Sequence, residues 1–183
     1  AEKSYKEAIN LNSNYAEAYN NLGITLNSLN KLKDSEKCYK KATLLNPNYA
    51  EAYNNMGLVL KDQGKFDEAI EAHQMTIDLN PNFAEAYSNM GDVLKDQEKF
   101  DEAIKAYKKA LFLKPNYREV YSNIGLVLKD QGKLDNAIEA YQKALSLKPD
   151  YPEAYNNMGN TLLDQGRLDQ ATENYKKSIS LDP

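Results

Sequence analysis

Apolar residues recur along the chain with helical period, in two separate stretches of each 34 residues. Around the second such block Tyr53, Met56, Gly57 and Leu60 fall at i, i+3, i+4 and i+7. After a polar break Phe66, Ala69, Ile70, His73 and Ile77 trace a second stripe. The spacing predicts helix, turn, helix. Pro47, Pro81, Pro115, Pro149 and Pro183 stand 34 residues apart, as do Tyr19, Tyr53, Tyr87, Tyr121 and Tyr155, and Gly23, Gly57, Gly91, Gly125 and Gly159. The predicted repeats are 16–49, 50–83, 84–117, 118–151 and 152–183, one continuous array. Residues 1–15 match the second helix of a truncated preceding repeat, because Ala1, Tyr5 and Ala8 align with Ala103, Tyr107 and Ala110.

The polar punctuation refines the elements. Asn14, Asn48, Asn82, Asn116 and Asp150 each precede by three residues Glu17, Glu51, Glu85, Glu119 and Glu153, the spacing of a capping box at the start of each first helix. Gly64, Gly132 and Gly166 are placed to end first helices in a left-handed conformation, and Pro47 and its equivalents to close the second helices. A glycine inside each first helix costs about 1 kcal/mol relative to alanine. Close approach of the partner helix is the expected compensation, with Ser35, Ala69, Ala103, Ala137 and Ala171 as the expected counterparts.

The pattern Tyr-x-x-Met-Gly-x-x-Leu, then Ala-x-x-x-His/Tyr, then Ala/Thr and Pro, resembles the tetratricopeptide repeat over the whole chain. Leucine replaces the family's aromatic at 26, 60, 94, 128 and 162, and Asn30 and Ser35 stand where the other repeats favour Gly and Ala. The resemblance implies an all-α solenoid of antiparallel helix pairs, wound as a right-handed superhelix with first helices lining the concave side. It does not by itself imply a specific function.

Composition narrows the function classes. With 42% hydrophobic and 27% charged residues the chain has globular proportions. No apolar run approaches a membrane span, and no signal segment opens the chain, which starts Ala-Glu-Lys and reads as an excised fragment. A net charge of −4 with interleaved signs argues against nucleic acid. One cysteine, Cys38, and no Asn-x-Ser/Thr acceptor lean towards the cytoplasm. Catalysis needs a nucleophile with a base, tuned carboxylates or a metal cluster. His73 occupies the slot that Tyr39, Tyr107, Tyr141 and Tyr175 fill elsewhere, and Cys38 has no histidine or second cysteine near it. No enzymatic activity, metal site or cofactor is expected.

The face of the first helices remains. Residues predicted to project away from the packed stripe are Asn20, Asn21, Ile24 and Asn27 in the first repeat, then Asn54, Asn55, Leu58 and Lys61, then Ser88, Asn89, Asp92 and Lys95. Ser122, Asn123, Leu126 and Lys129 continue the row, followed by Asn156, Asn157, Asn160 and Leu163. Asn21, Asn55, Asn89, Asn123 and Asn157 form an unbroken line. An amide both accepts from a backbone N–H and donates to a carbonyl, so such a line suits a peptide main chain; it also suits hydrogen bonds between adjacent repeats. The line resembles the asparagine ladder of the tetratricopeptide region of O-linked N-acetylglucosamine transferases. Family members that clamp a C-terminal dicarboxylate carry basic residues where Glu51, Glu85 and Glu119 stand here. Lys61, Lys95 and Lys129 are each followed by an aspartate, which predicts a solvated mixed-charge face. The expected function is a scaffold that binds an extended polypeptide. A substrate-recruiting arm of a larger enzyme, such as a glycosyltransferase, and end-to-end self-association through Tyr175 and Ile179 are the alternatives.

Overall fold

Residues 1–182 are described by a computed structural model; Pro183, expected to close the last helix, lies outside the described residues. The described residues are all-α and divide into two compact units, 1–97 and 98–183. The first unit holds α1 (Glu2–Leu11), α2 (Ala16–Ser28), α3 (Leu32–Leu45), α4 (Ala50–Asp62), α5 (Phe66–Leu79) and α6 (Ala84–Asp96). The second holds α7 (Phe100–Leu113), α8 (Arg118–Asp130), α9 (Leu134–Leu147), α10 (Pro152–Asp164) and α11 (Leu168–Leu181). Within the first unit α2 pairs with α3 and α4 with α5, and each pair packs on the next through α3·α4 and α5·α6. In the second, α8 pairs with α9 and α10 with α11, with α9 packed on α10.

The glycines inside the first helices face rings rather than small side chains. A Cβ on Gly57 would lie 2.6 Å from Cε1 of His73, and one on Gly125 would lie 2.5 Å from Cε1 of Tyr141. The expectation of small counterparts is therefore corrected. The ring itself lies across the glycine, and burial of Tyr39 and Tyr141 to 1% exposure or less rewards the close approach. Ser35 still contributes, donating its hydroxyl to the carbonyl of Gly23 at 2.7 Å.

The capping boxes do not form. The N-cap positions are Tyr15, Tyr49, Phe83, Tyr117 and Tyr151, with no side-chain cap bond, one residue beyond the asparagines and aspartate expected there. Asn46 and Asn80 instead end the second helices, and each side-chain oxygen accepts from the backbone N–H two residues on, at 3.1 and 3.2 Å. These Asx turns set the path that proline then fixes. The turns after the first helices follow the expected left-handed stop, with φ of +73° at Gly64, Gly132 and Gly166. Asn30 and Glu98 adopt the same conformation at φ 57° and 58°.

Successive pairs are also joined by polar staples. Gln97 donates to Asp67 at 2.9 Å in the first unit, and Gln131 to Asp101 and Gln165 to Asp135 at 3.1 and 2.8 Å in the second. At the first turn Lys33 stands in place of the aspartate, and Gln63 turns to Glu36 at 2.9 Å. Burial alone would raise the Glu36 carboxyl. Hydrogen bonds from Lys40, Lys65 and Gln63 outweigh it and hold the group at about 2.

Candidate functional site

The first helices place the predicted row unevenly. Asn20, Ser88 and Ser122 are buried to 1, 4 and 2% exposure and Asn54 to 7%, so these four face into the packing and not away from it. The amide oxygens of Asn20 and Asn54 are met from the following pair. Asn55 donates its Nδ2 to Oδ1 of Asn20 at 3.1 Å, and Asn89 does the same to Asn54 at 3.0 Å. Burial pushes the Tyr49 phenol up, the nearby Glu51 and Glu17 add to that, and the Asn20 amide close by opposes it. In the second unit burial likewise raises Tyr151, opposed by the nearby Ser122 hydroxyl. Asn156, the last member of this set, is exposed. Sequence reasoning passed over Tyr49 and Tyr151, although an aromatic just before each first helix was the available signal.

The second line is differently placed. Asn21, Asn55, Asn89, Asn123 and Asn157 are half-buried, with part of each side chain open to solvent. The bonds to Asn20 and Asn54 consume one N–H of Asn55 and of Asn89 and fix the amide orientation. Each Oδ1 and a second N–H stay uncommitted among the described residues. Beside this line Ile24 is 44% exposed, Leu58, Asp92 and Leu126 are half-buried, and Asn160 is exposed, its Oδ1 accepting from the Tyr175 hydroxyl at 2.8 Å.

Two of the three lysines pair with an aspartate of the next first helix rather than with the one that follows them in sequence. Lys61 pairs with Asp96 at 3.3 Å and Lys129 with Asp164 at 3.1 Å, each on the following first helix. Neighbours in sequence diverge by about 100° around a helix, whereas the next helix brings an aspartate alongside. Lys95 does approach its neighbour Asp96, at 3.6 Å.

His73 is wholly buried, and neither ring nitrogen has a hydrogen-bond partner. Burial, helped by the charge of Lys61, holds it down to about 4, so the ring is neutral and acts as packing. The Cys38 thiol is pushed up by burial and by Asp34, away from the reactive thiolate. Among the described residues no group of three His, Cys, Asp or Glu is placed to hold a metal, and no helix is long and apolar enough to cross a membrane.

Family models described as TPR repeat match residues 25–64, 91–132 and 125–166, and models described as tetratricopeptide repeat match 50–83, 152–183 and 4–37. The chain belongs to the tetratricopeptide-repeat family. A comparison with curated proteins gave no match. Among solved structures of the family fold, MamA is 30% identical, with 88% of this chain and 94% of that chain covered at a TM-score of 0.76. YrrB, described as a TPR protein with an unusual peptide-binding site, is 26% identical over 100% of this chain and 94% of its own, at a TM-score of 0.73. PilF of Pseudomonas aeruginosa, at 22% identity with coverage of 92% and 77% and a TM-score of 0.82, shares the fold.

Proposed function

We propose that this tetratricopeptide-repeat chain is a non-enzymatic scaffold that holds an extended polypeptide against the line of half-buried asparagines. The observation that carries the reading is the way Asn55 and Asn89 are held. Donation to the preceding helix orients each amide, and the uncommitted Oδ1 and N–H are then ready for a main-chain N–H and C=O. Preorganisation of this kind lowers the ordering cost of binding. Ile24, Leu58, Asp92, Leu126 and Asn160, beside the line, supply side-chain selectivity, and the paired lysines Lys61, Lys95 and Lys129 border it. The peptide-binding site named for YrrB supports a peptide as the ligand class. The same face would serve a substrate-recruiting arm of a glycosyltransferase in the cytoplasm, and the asparagine line is what supports that reading. A second reading, pairing of two copies through α11, is favoured by Ile179 at 65% exposure; a sedimentation coefficient unchanged with concentration would dismiss it.

The test is binding of a random-sequence extended peptide library to wild type, to Asn55→Ala/Asn89→Ala and to Asn20→Ser, with helicity followed by circular dichroism. Asn20→Ser weakens the same interhelical bond yet leaves the Asn55 amide in place, so it separates lost packing from lost contact. Binding lost in the double variant, and weakened to a smaller degree in Asn20→Ser while helicity persists in both, supports the reading. Equal binding by all three overturns it.

A further inference from the structure

The opposite side of α10 is packed against α9, and a cavity lies over that packing. Tyr155, Met158 and Leu162 share one face of that helix, about half a turn from Asn156, Asn157 and Asn160. With Ile138 of α9 they line a cavity of about 640 Å³ that is walled on its other side by α11. Ile138, Met158 and Leu162 are 7, 9 and 3% exposed, so the cavity floor is apolar and largely buried. Volumes of this size accommodate several side chains of a ligand.

The wall contributed by α11 has a different character. Arg167, Lys176 and Lys177 line the cavity against a single carboxylate, Glu173, in a chain whose overall charge is −4. The Arg167 guanidinium is held in place by neutral acceptors, its Nε donating to Gln170 Oε1 at 2.5 Å and its Nη1 to Gln165 Oε1 at 2.9 Å. These bonds orient the group without neutralising it, and its Nη2 remains for a carboxylate. The lining runs along α11 from Arg167 to Ser180, about 20 Å at the rise of an α-helix, which matches about six residues of extended chain. A trough of that length fits a polypeptide better than a small anion.

We infer that the trough between α9 and α11 is a second docking surface, separate from the asparagine line, for an acidic peptide segment that carries an apolar anchor. The anchor side chain enters above Ile138, Met158 and Leu162. A flanking carboxylate meets Arg167, with Lys177 one further stretch along the same wall.

Fluorescence polarisation with capped, labelled hexapeptides carrying one leucine or phenylalanine among glutamates tests this on the whole chain. Comparison peptides replace the glutamates by glutamine or the anchor by alanine. Wild type is expected to favour the acidic, anchored peptides at least tenfold over both comparisons, and Arg167→Glu to lose at least tenfold in affinity while Lys3→Glu, a charge reversal at an exposed side chain of α1, binds as wild type. Lys177→Glu repeats the charge reversal at a side chain outside the Gln165–Gln170 network, in case Arg167→Glu disturbs the fold. Equal affinity for the glutamine peptides, no binding to wild type at millimolar peptide, or binding lost in Asn55→Ala but kept in both charge reversals would overturn the assignment.

Discussion

The buried imidazole of His73 makes the protein sensitive to mild acid in a way that a single substitution should remove. Burial and the charge of Lys61 hold the folded-state value at about 4, against an ordinary value of 6.5. The unfolded chain therefore takes up a proton between those limits while the folded chain does not. Because the folded value is depressed, the neutral-pH stability is intact above 6.5 and falls as pH drops from 6.5 to 4. The linkage relation gives a loss of about 2 kcal/mol at pH 5 and about 3 kcal/mol once both limits are passed. Tyrosine fills the equivalent position against Gly23 and Gly125, so His73→Tyr should fit above Gly57 and abolish this dependence. Urea unfolding of both proteins at pH 7.5 and 5.0, followed by circular dichroism, measures the difference directly. The stability gap between variant and wild type should widen by about 2 kcal/mol on going to pH 5. His73 is the only histidine, so its proton resonance can be titrated without ambiguity and should show an inflection below pH 5. Parallel pH profiles for the two proteins, or an inflection near 6.5, would refute the buried neutral ring.

Three further outcomes follow from the same packing. Glu98 holds φ 58° where glycine stands in three other turns, and a left-handed non-glycine residue costs about 1–2 kcal/mol, so Glu98→Gly should raise the melting temperature by a few degrees. Gly125→Ala should destabilise by about 1–3 kcal/mol in chemical denaturation, because the new methyl meets the boxed-in Tyr141 ring at 2.5 Å. Glu36 stands where Ile70, Ile104 and Ile138 stand in other pairs, and its depressed carboxyl contributes stability above 4.5 that is lost as pH falls towards 2. Glu36→Ile should stay within about 1 kcal/mol of wild type at pH 7 and flatten the acid limb of the unfolding profile.

Helix positions and turns were legible in the sequence because they rest on local terms: a 3.6-residue stripe, a proline after α3, α5, α7 and α9, a glycine at three of the five left-handed stops. Contacts made by nonlocal partners were less so. The asparagine-to-glutamate spacing obeys the capping rule, yet Tyr15, Tyr49 and their equivalents take the cap position because the chain turns one residue later, guided by Asn46 and Asn80. The glycines announced a close approach without saying to what; only the fold puts His73 and Tyr141 across Gly57 and Gly125. Asn20 and Asn54 look solvent-facing on a single helix wheel. A wheel omits the next pair, which covers them and supplies Asn55 and Asn89 as partners. The staples Gln97–Asp67, Gln131–Asp101 and Gln165–Asp135 were present as a 30-residue spacing that no local rule singles out.

The two asparagine positions are better understood together than apart. A peptide-gripping amide on a solvated helix would rotate freely and lose entropy on binding. Here the buried residue fixes the exposed one: Asn20 offers its oxygen to Asn55, and Asn54 offers its oxygen to Asn89. The structural use of the amide and its proposed use for a ligand are thus compatible rather than competing, since the first consumes one N–H and leaves the carbonyl oxygen unpaired. The same logic explains why an apolar residue at Asn20 or Asn54 would be damaging beyond its own packing, for it would free the neighbouring amide on the binding face. It also sets the order of effects along the line: loss of Asn54 should cost binding through Asn89, one helix pair away, before it costs measurable helicity.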